Sequence, residues 1–570
     1  MQSYEDKTPY VLGVKCGGDP NGDGHSANAA IKHGKNIVAI QAERLDRIKK
    51  SAGWRKGISN YGDKNRNDSD FVGVTECIKY CINAMKISAE QIDLVVVDNI
   101  GKFPEQEAEI RSVVGKRCPI VQISHHLAHA ASAYLCSPFN SAAILVMDGG
   151  GGCLDKYDNS YERQSIYLGN GQDILHYHTT RSSRSNIWGL GGAYSIHGMI
   201  LSLDPGKVMG LAAYGNGESY REYSIFDNNN DIDIFMNSGI LYDDNPKEVN
   251  VTETNNTYGL LRTWENDPTD AKWADLAYKI QSELEDNLIK LCNRIYDITK
   301  EKNICIAGGV ALNSSANEKI IEKTSFENIF IQPAADDGGI GLGCALYGDA
   351  IILSQKRNYI MKNAYLGKTY SENDVQYALE KYKLHINVRK TKSIAMDCAQ
   401  LLSEGKIIAW FQGKSEYGPR ALGHRSLLCD PRREELKTVM NIRVKGREWW
   451  RPLAPSVLEE YAKDYFEIND ISPYMLRVAR VKKGMACLIP GVKHIDDTSR
   501  IQTVSKQECG LYWELIYNFY KLTNVPMILN TSFNLCDEPI VEEPEDAIKT
   551  FLKKQCIDFL IINNYIIERI

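Results

Sequence analysis

The run Ala142-Ala143-Ile144-Leu145-Val146-Met147-Asp148-Gly149-Gly150-Gly151-Gly152 decides how this chain is read. Uninterrupted apolar residues mark a strand buried on both faces, and the glycines after it mark a loop where backbone N–H groups can approach a phosphate. Residues 164–168 then read as a second strand, Asn170-Gly171 as a turn and 173–177 as a third strand. The same syllables open the chain. A buried strand at 10–14 runs into a Gly-rich, acidic loop, and strands at 27–32 and 36–41 follow on either side of Gly34. A strand-loop-strand-turn-strand unit used twice predicts an internally duplicated α/β domain, with a cleft between its halves suited to a phosphorylated ligand.

Just upstream lies Ser124-His125-His126-Leu127-Ala128-His129-Ala130. Ser124 is a helix cap by residue type, and His125 and His129, four apart, share a helix face. Two imidazoles on one face, with the Asp148 carboxylate at the end of the next strand, make a metal site lacking one ligand. A strand at 329–332 delivers Pro333-Ala334-Ala335-Asp336-Asp337-Gly338-Gly339, and Asp337 is the candidate for that ligand. Another at 303–307 delivers Gly308-Gly309-Val310-Ala311-Leu312-Asn313, where paired glycines before a helix favour close approach of a nucleotide. The Gly206-Lys207-Val208-Met209-Gly210 segment offers an ammonium and N–H groups to phosphate oxygens. The longest helical pattern, 271–300, carries Leu276, Ile280, Leu284, Leu288 and Leu291 on one stripe and is core.

At 570 residues, two or more domains are expected. The pattern turns polar and irregular after 355, which sets a first domain at 1–355, a linker at 356–370 and a second domain at 371–570. The second domain gathers Arg420, Arg425, Arg432, Arg433, Arg443, Lys445, Arg447 and Arg451, more cations than a solvated face requires. Arg500 and the Asn530-Thr531-Ser532 turn add donors for phosphate or a planar carboxylate-like group.

The net charge of −6, with both signs mixed along the chain, gives no reason for a polyanion or membrane surface as main partner. Fifteen scattered cysteines without a CxxC pair suit a reduced, cytoplasmic chain. No apolar run is long enough to span a bilayer.

Together these stretches resemble the O-carbamoyltransferases of the NodU/CmcH family. The resemblance rests on SHHLAHAASAY at 124–134, Asp148-Gly149-Gly150, GKVMGLAAYG at 206–215, GGVALN at 308–313 and PAADDGG at 333–339. It continues through YGPRALGHRS at 417–426, Lys445-Gly446-Arg447-Glu448 with Arg451-Pro452, TSRIQTV at 498–504 and NTSFN at 530–534. It implies a Kae1-like domain of the actin/Hsp70 superfold followed by an α+β YrdC-like domain. By the same resemblance, the second domain makes carbamoyl adenylate from carbamoyl phosphate and ATP (with Mg2+), releasing pyrophosphate. The first passes the carbamoyl group to a hydroxyl. His125, His129, Asp148 and Asp337 then correspond to an iron set, which as N2O2 ligands also suits Mn or Zn. Lys207, Gly210, Gly309 and Asn313 correspond to nucleotide contacts of the first domain, and Arg420, Lys445, Arg451, Arg500, Asn530 and Ser532 to the carbamoyl phosphate and ATP site of the second. Asp23-Gly24-His25 stands where the family has Asp-x-His, so His25 is the expected base and Asp23 its partner. The family's following Asp-Ala-Ser-Ala is here Ser26-Ala27-Asn28-Ala29, a departure beside the acceptor pocket.

The expected acceptor is a small hydroxylated metabolite such as a glycoside or antibiotic core, and a homodimer is the expected assembly. An alternative acceptor is a hydroxymethylated base in DNA, with Arg44, Arg47, Lys49, Lys50, Arg55 and Lys56 beside Trp54 holding the backbone. A different class is an ATP-binding regulator or ATPase on the same superfold, which transfers nothing.

Overall fold

The computed structural model describes residues 8–17, 26–51, 73–98, 104–152, 160–183, 188–201, 203–222, 224–227, 232–236, 271–536 and 538–570. Strands β1 (Tyr10–Lys15), β2 (Asn28–His33) and β3 (Asn36–Gln41) form an antiparallel meander, and Gly34, at φ +56°, turns the chain between the last two. Strands β4 (Leu94–Asp98) and β5 (Ile120–Ile123) extend it in parallel on the β1 side, giving the order β3-β2-β1-β4-β5.

The second half repeats this plan. Strands β6 (Ser141–Met147), β7 (Ser160–Asn170) and β8 (Asp173–Ser183) form the meander, and β9 (Phe226–Asp227) with β10 (Phe235–Met236) form a separate ribbon. Strands β11 (Asn303–Ala307) and β12 (Asn328–Ile331) then join β6 in parallel, in the order β12-β11-β6-β7-β8. Read from each meander, the two sheets have one topology: the internal duplication expected from the repeated syllables, in keeping with the actin/Hsp70-like domain that the resemblance implies.

Two helices between these sheets approach backbone to backbone. A side chain at Gly343 of the Ile340–Tyr347 helix would sit 1.9 Å from the Ala128 carbonyl of the His125–Tyr134 helix, and one at Gly13 of β1 would meet Gly341 O at the same distance. Glycine is required at both crossings. The Ala271–Thr299 helix buries Leu276, Ile280, Leu284, Leu288 and Leu291, each contributing roughly 1.5–3 kcal/mol.

Eleven further strands follow: β13 (Ile386–Lys390), β14 (Ile408–Phe411), β15 (Arg425–Cys429), β16 (Ala454–Leu458), β17 (Phe466–Glu467), β18 (Val478–Val481), β19 (Thr498–Arg500), β20 (Gln502–Val504), β21 (Met527–Ser532), β22 (Phe559–Ile562) and β23 (Tyr565–Arg569). Eight of them form a mixed sheet, β13-β23-β22-β14-β15-β21-β16-β20, and β17, β18 and β19 form a smaller one. No helix among the described residues is long and apolar enough to cross a membrane.

Residues 356–370, expected to be a polar linker, contain no helix or strand but are packed rather than free. Arg357 lies over the Tyr134 ring and donates to the carbonyls of Phe139 and Tyr134, at 2.6 and 2.7 Å, and Tyr365 and Leu366 are buried. Arg44 and Arg47 fasten the opposite side. Arg44, 1% exposed, donates to Gly418 O at 2.8 Å, and Arg47 to the carbonyls of Ile540 and Pro539 at 2.6 and 2.7 Å. These two cations, expected to face a DNA backbone, are engaged inside the protein, while Trp54, Arg55 and Lys56 lie outside the described residues.

Candidate active site

The His125–Tyr134 helix begins where Ser124 Oγ accepts from Leu127 N at 3.2 Å, which presents His125 and His129 on one face. Asp148 follows β6. Asp337 follows the β12 loop, where Asp336 caps a short 3-10 turn. Ligand atoms of these four side chains all lie within 4.8 Å of one another. His125 Nε2 is 3.2 Å from Asp148 Oδ2 and 3.4 Å from Asp337 Oδ1, and the corresponding distances from His129 Nε2 are 3.6 and 3.7 Å.

The surroundings argue that the cluster suits a cation. His125 Nδ1 is 2.9 Å from Asp98 Oδ2, and donation there directs the Nε2 lone pair at the two ligand carboxylates. His129, fully buried, has neither ring nitrogen in a well-formed hydrogen bond. Four lone-pair donors converging in a buried space repel one another unless a positive charge lies between them. Burial alone would lower the His125 pKa, yet Asp337, Asp148 and Asp98 push it well above the usual histidine value. Burial and Asp337 would raise the Asp148 pKa, yet the two neighbouring histidines hold it down. The N2O2 set fits Fe2+, Mn or Zn.

Sequence reasoning missed two members of this group. Lys15, at the end of β1, lies 3.2 Å from Asp337 Oδ2 and 3.7 Å from Asp98 Oδ2. Burial would lower its pKa, but Asp337 and Asp98 push it up and keep it charged. Asp98 ends β4, beside β1 in the sheet, so strand pairing joins residues that sequence separation hides. Two glycine N–H groups expected to face a phosphate are already engaged: Gly149 N donates to Asp148 Oδ1 at 2.8 Å and Gly151 N to Glu162 O at 2.7 Å.

A cavity of about 400 Å³ opens between the two halves of the chain. Arg420, Lys445, Arg447, Arg451 and Arg500 line it, as do Asn530 and Ser532. Burial, and then mutual repulsion among these cations, pushes the Arg420, Lys445 and Arg500 pKa values down. Lys445 is held by neutral acceptors, Asn534 Oδ1 at 2.6 Å and Ser532 Oγ at 3.1 Å. Arg420 Nε and Arg500 Nε are buried without a hydrogen-bond partner. Crowded, buried cations with unpartnered guanidinium nitrogens are a site for anions. The structure sorts the basic run: Arg425 stacks on Phe411 at 3.6 Å and donates to Gln412 O, and Arg432 pairs with Asp430 at 2.7 Å, so both are structural. Arg447, from the same run, joins the cavity.

The residues expected to hold a nucleotide in the first domain divide. Gly309 N points at Asp148 Oδ1, 3.4 Å away, so Gly309 belongs with the metal cluster. The Asn313 amide caps the Ser314–Lys323 helix and exchanges hydrogen bonds with Gln281, at 2.9 and 3.1 Å. Lys207 and Gly210 line the anion cavity instead: Lys207 pairs with Glu448 at 3.0 Å, and Gly210 O lies 3.1 Å from His494 Nε2. Ser314, next to Asn313, lines the same cavity and donates to Met209 Sδ at 3.4 Å, between Lys207 and Gly210. Asp23 and His25 lie outside the described residues. Asn28, in the departing tetrapeptide, is fully buried and ties Asp337 O, Gly341 N and the Tyr417 hydroxyl together.

The metal cluster and the cavity share a wall. Asp336 lines the cavity and Asp337, the next residue, belongs to the cluster. Gly418, at φ +113°, lets the 417–426 loop press on Pro333, where a side chain would sit 2.8 Å from the carbonyl oxygen.

Family models for the Carbamoyltransferase N-terminus and the Carbamoyltransferase C-terminus match residues 105–346 and 399–569. Nodulation protein NolNO of Sinorhizobium fredii (strain NBRC 101917 / NGR234) is 33% identical, over 96% of this chain and 80% of the relative. A protein of Synechocystis sp. (strain ATCC 27184 / PCC 6803 / Kazusa) is 30% identical over 95% of both chains. A crystal structure of full-length HypF in its phosphate- and nucleotide-bound form overlays with a TM-score of 0.34 at 14% identity, over 61% of this chain and 56% of that one, too loosely for residue comparison. With both halves matched and relatives of this coverage, the chain belongs to the carbamoyltransferase family and is a transferase of carbamoyl groups.

Proposed function

We propose that the protein is an ATP-dependent O-carbamoyltransferase whose two sites divide the work. In the anion cavity, carbamoyl phosphate and ATP give carbamoyl adenylate. Pyrophosphate leaves from ATP, and one water, entering at the carbamoyl phosphate, releases inorganic phosphate. At the metal cluster, a hydroxyl of a small metabolite takes the carbamoyl group and AMP departs. The single observation behind this reading is the shared wall: crowded, buried cations on the Asp336 side, a four-ligand cluster on the Asp337 side.

Each group has a task that its surroundings support. Arg420, Arg451 and Arg500 bind phosphate oxygens, Lys445 adds a point charge beside Ser532, and Asn530 orients the carbamoyl amide. Nitrogen donation makes a carbamoyl carbon a poor electrophile, so an adenylate leaving group lowers the barrier to attack. His125, His129, Asp148 and Asp337 would hold the divalent cation, which supplies Lewis-acid polarisation of the developing oxyanion. Asp98 keeps His125 in the tautomer that ligation requires. His25 removes the acceptor proton and Asp23 orients it. The short path along the 333–339 loop keeps the activated carbamate from water.

The DNA alternative has less support, because Arg44 and Arg47 are engaged within the protein. The test is exchange of labelled pyrophosphate into ATP. The proposal expects exchange that depends on carbamoyl phosphate, whereas ATP hydrolysis to phosphate indifferent to carbamoyl phosphate would mark an ATPase.

A further inference from the structure

The two ligand carboxylates are held alike. Asp148 turns Oδ2 toward the histidines while Oδ1 accepts from Gly149 N at 2.8 Å and faces Gly309 N at 3.4 Å. Asp337 turns Oδ1 toward the histidines while Oδ2 lies 3.2 Å from Lys15 Nζ. Each therefore offers one oxygen to an ion, leaving positions for substrate in the coordination sphere. Asp148 is restrained by backbone, but Asp337 is restrained by a charged side chain that is also 3.7 Å from Asp98. With neutral histidines, Lys15 and the carboxylates of Asp98, Asp148 and Asp337 leave two formal negative charges in a buried space, the number one divalent cation balances.

We propose that Lys15 is a positioning residue of the metal centre: its ammonium restricts Asp337 to single-oxygen ligation and sets the site's charge for a divalent ion with open positions. This rests on the metal reading above. Neutralising Lys15 frees Asp337 Oδ2 to chelate and leaves a third negative charge unbalanced. Cation affinity then rises while substrate loses its place, so tighter binding accompanies slower turnover.

The experiment is Mn2+ titration of the full chain, reading free Mn2+ by electron paramagnetic resonance, with kcat and KM measured alongside. Lys15→Met is expected to bind Mn2+ about tenfold more tightly, the scale on which a neighbouring charge alters a carboxylate's affinity for a cation. Lys15→Gln, which keeps a donor to Asp337 and safeguards the fold, should shift in the same direction, and Lys15→Arg should return toward wild type. Asp98→Asn should weaken binding by roughly 10- to 100-fold, as loss of an outer partner of a ligating histidine does. Opposite signs at Lys15 and Asp98 are what mere structural support cannot produce. Unchanged or weaker Mn2+ binding in the neutral Lys15 variants overturns the proposal while leaving the metal reading intact. Failure of the wild-type protein to bind Mn2+ overturns both.

Discussion

The metal cluster and the anion cavity are built on opposite electrostatic plans. In the cluster, Lys15, Asp98, His125, His129, Asp148 and Asp337 alternate in sign or share protons, so each charge has a partner before any ion arrives. In the cavity, Arg420, Lys445, Arg447, Arg451 and Arg500 are crowded together, and burial with repulsion from neighbouring cations lowers the pKa values of Arg420, Lys445, Arg447 and Arg500. Carboxylates line it too, among them Asp204, Asp336 and Glu448, and Glu448 is shared between Lys207 and Arg451 at 3.0 and 3.8 Å. The first plan would preorganise ligands for a resident cation, as proposed above. The second leaves repulsion that an incoming anion relieves and a departing one restores, which suits substrates that must turn over.

The largest expected effect breaks the cluster. His129→Ala removes a buried ligand and should lower Mn2+ affinity by more than the roughly 100-fold that loss of an outer partner brings, measured as bound metal per chain. The pyrophosphate exchange of the cavity should survive it. Next, Arg500→Ala should lower that exchange roughly 100-fold, the scale for truncating one member of a buried charged pair, with bound metal unchanged.

A smaller effect sharpens the contrast. Burial and neighbouring cations hold the Lys445 pKa well below 10.5, so between its folded and unfolded values the unfolded chain binds more protons. Stability of the anion-free protein attributable to Lys445 therefore rises with pH across that window. Bound phosphate offsets the same repulsion, and its stabilising effect should be greater where Lys445 is charged. The increase in Tm given by inorganic phosphate should accordingly diminish as pH rises toward the usual lysine value.

Much of this was legible in the sequence because it is local. The buried run 142–147, the turn glycine within each meander and the four-residue spacing of His125 and His129 report strand, turn and helix face directly. Placing Asp337 with the histidines required only that β6, β11 and β12 be neighbours, which the parallel-strand pattern suggests. Pairings across elements were not legible. Lys15 reads as a polar end to a strand until β4 brings Asp98 beside it. Arg420 and Arg425 lie in one motif, yet β15 turns Arg425 under Phe411 while the preceding loop leaves Arg420 at the cavity. Lys207 reads as a phosphate ligand of the first domain because its segment does not disclose that its helix docks against Glu448 of the second.

The account depends most on the separation of activation from transfer. The direct measurement is carbamoyl-phosphate-dependent pyrophosphate exchange, made alongside bound metal and carbamoyl transfer to an acceptor, on Asp337→Asn, an isosteric change one residue from the cavity wall. The account predicts exchange near the wild-type rate with metal binding and transfer lost. Loss of exchange together with transfer, in a variant that still melts like the wild type, would contradict it.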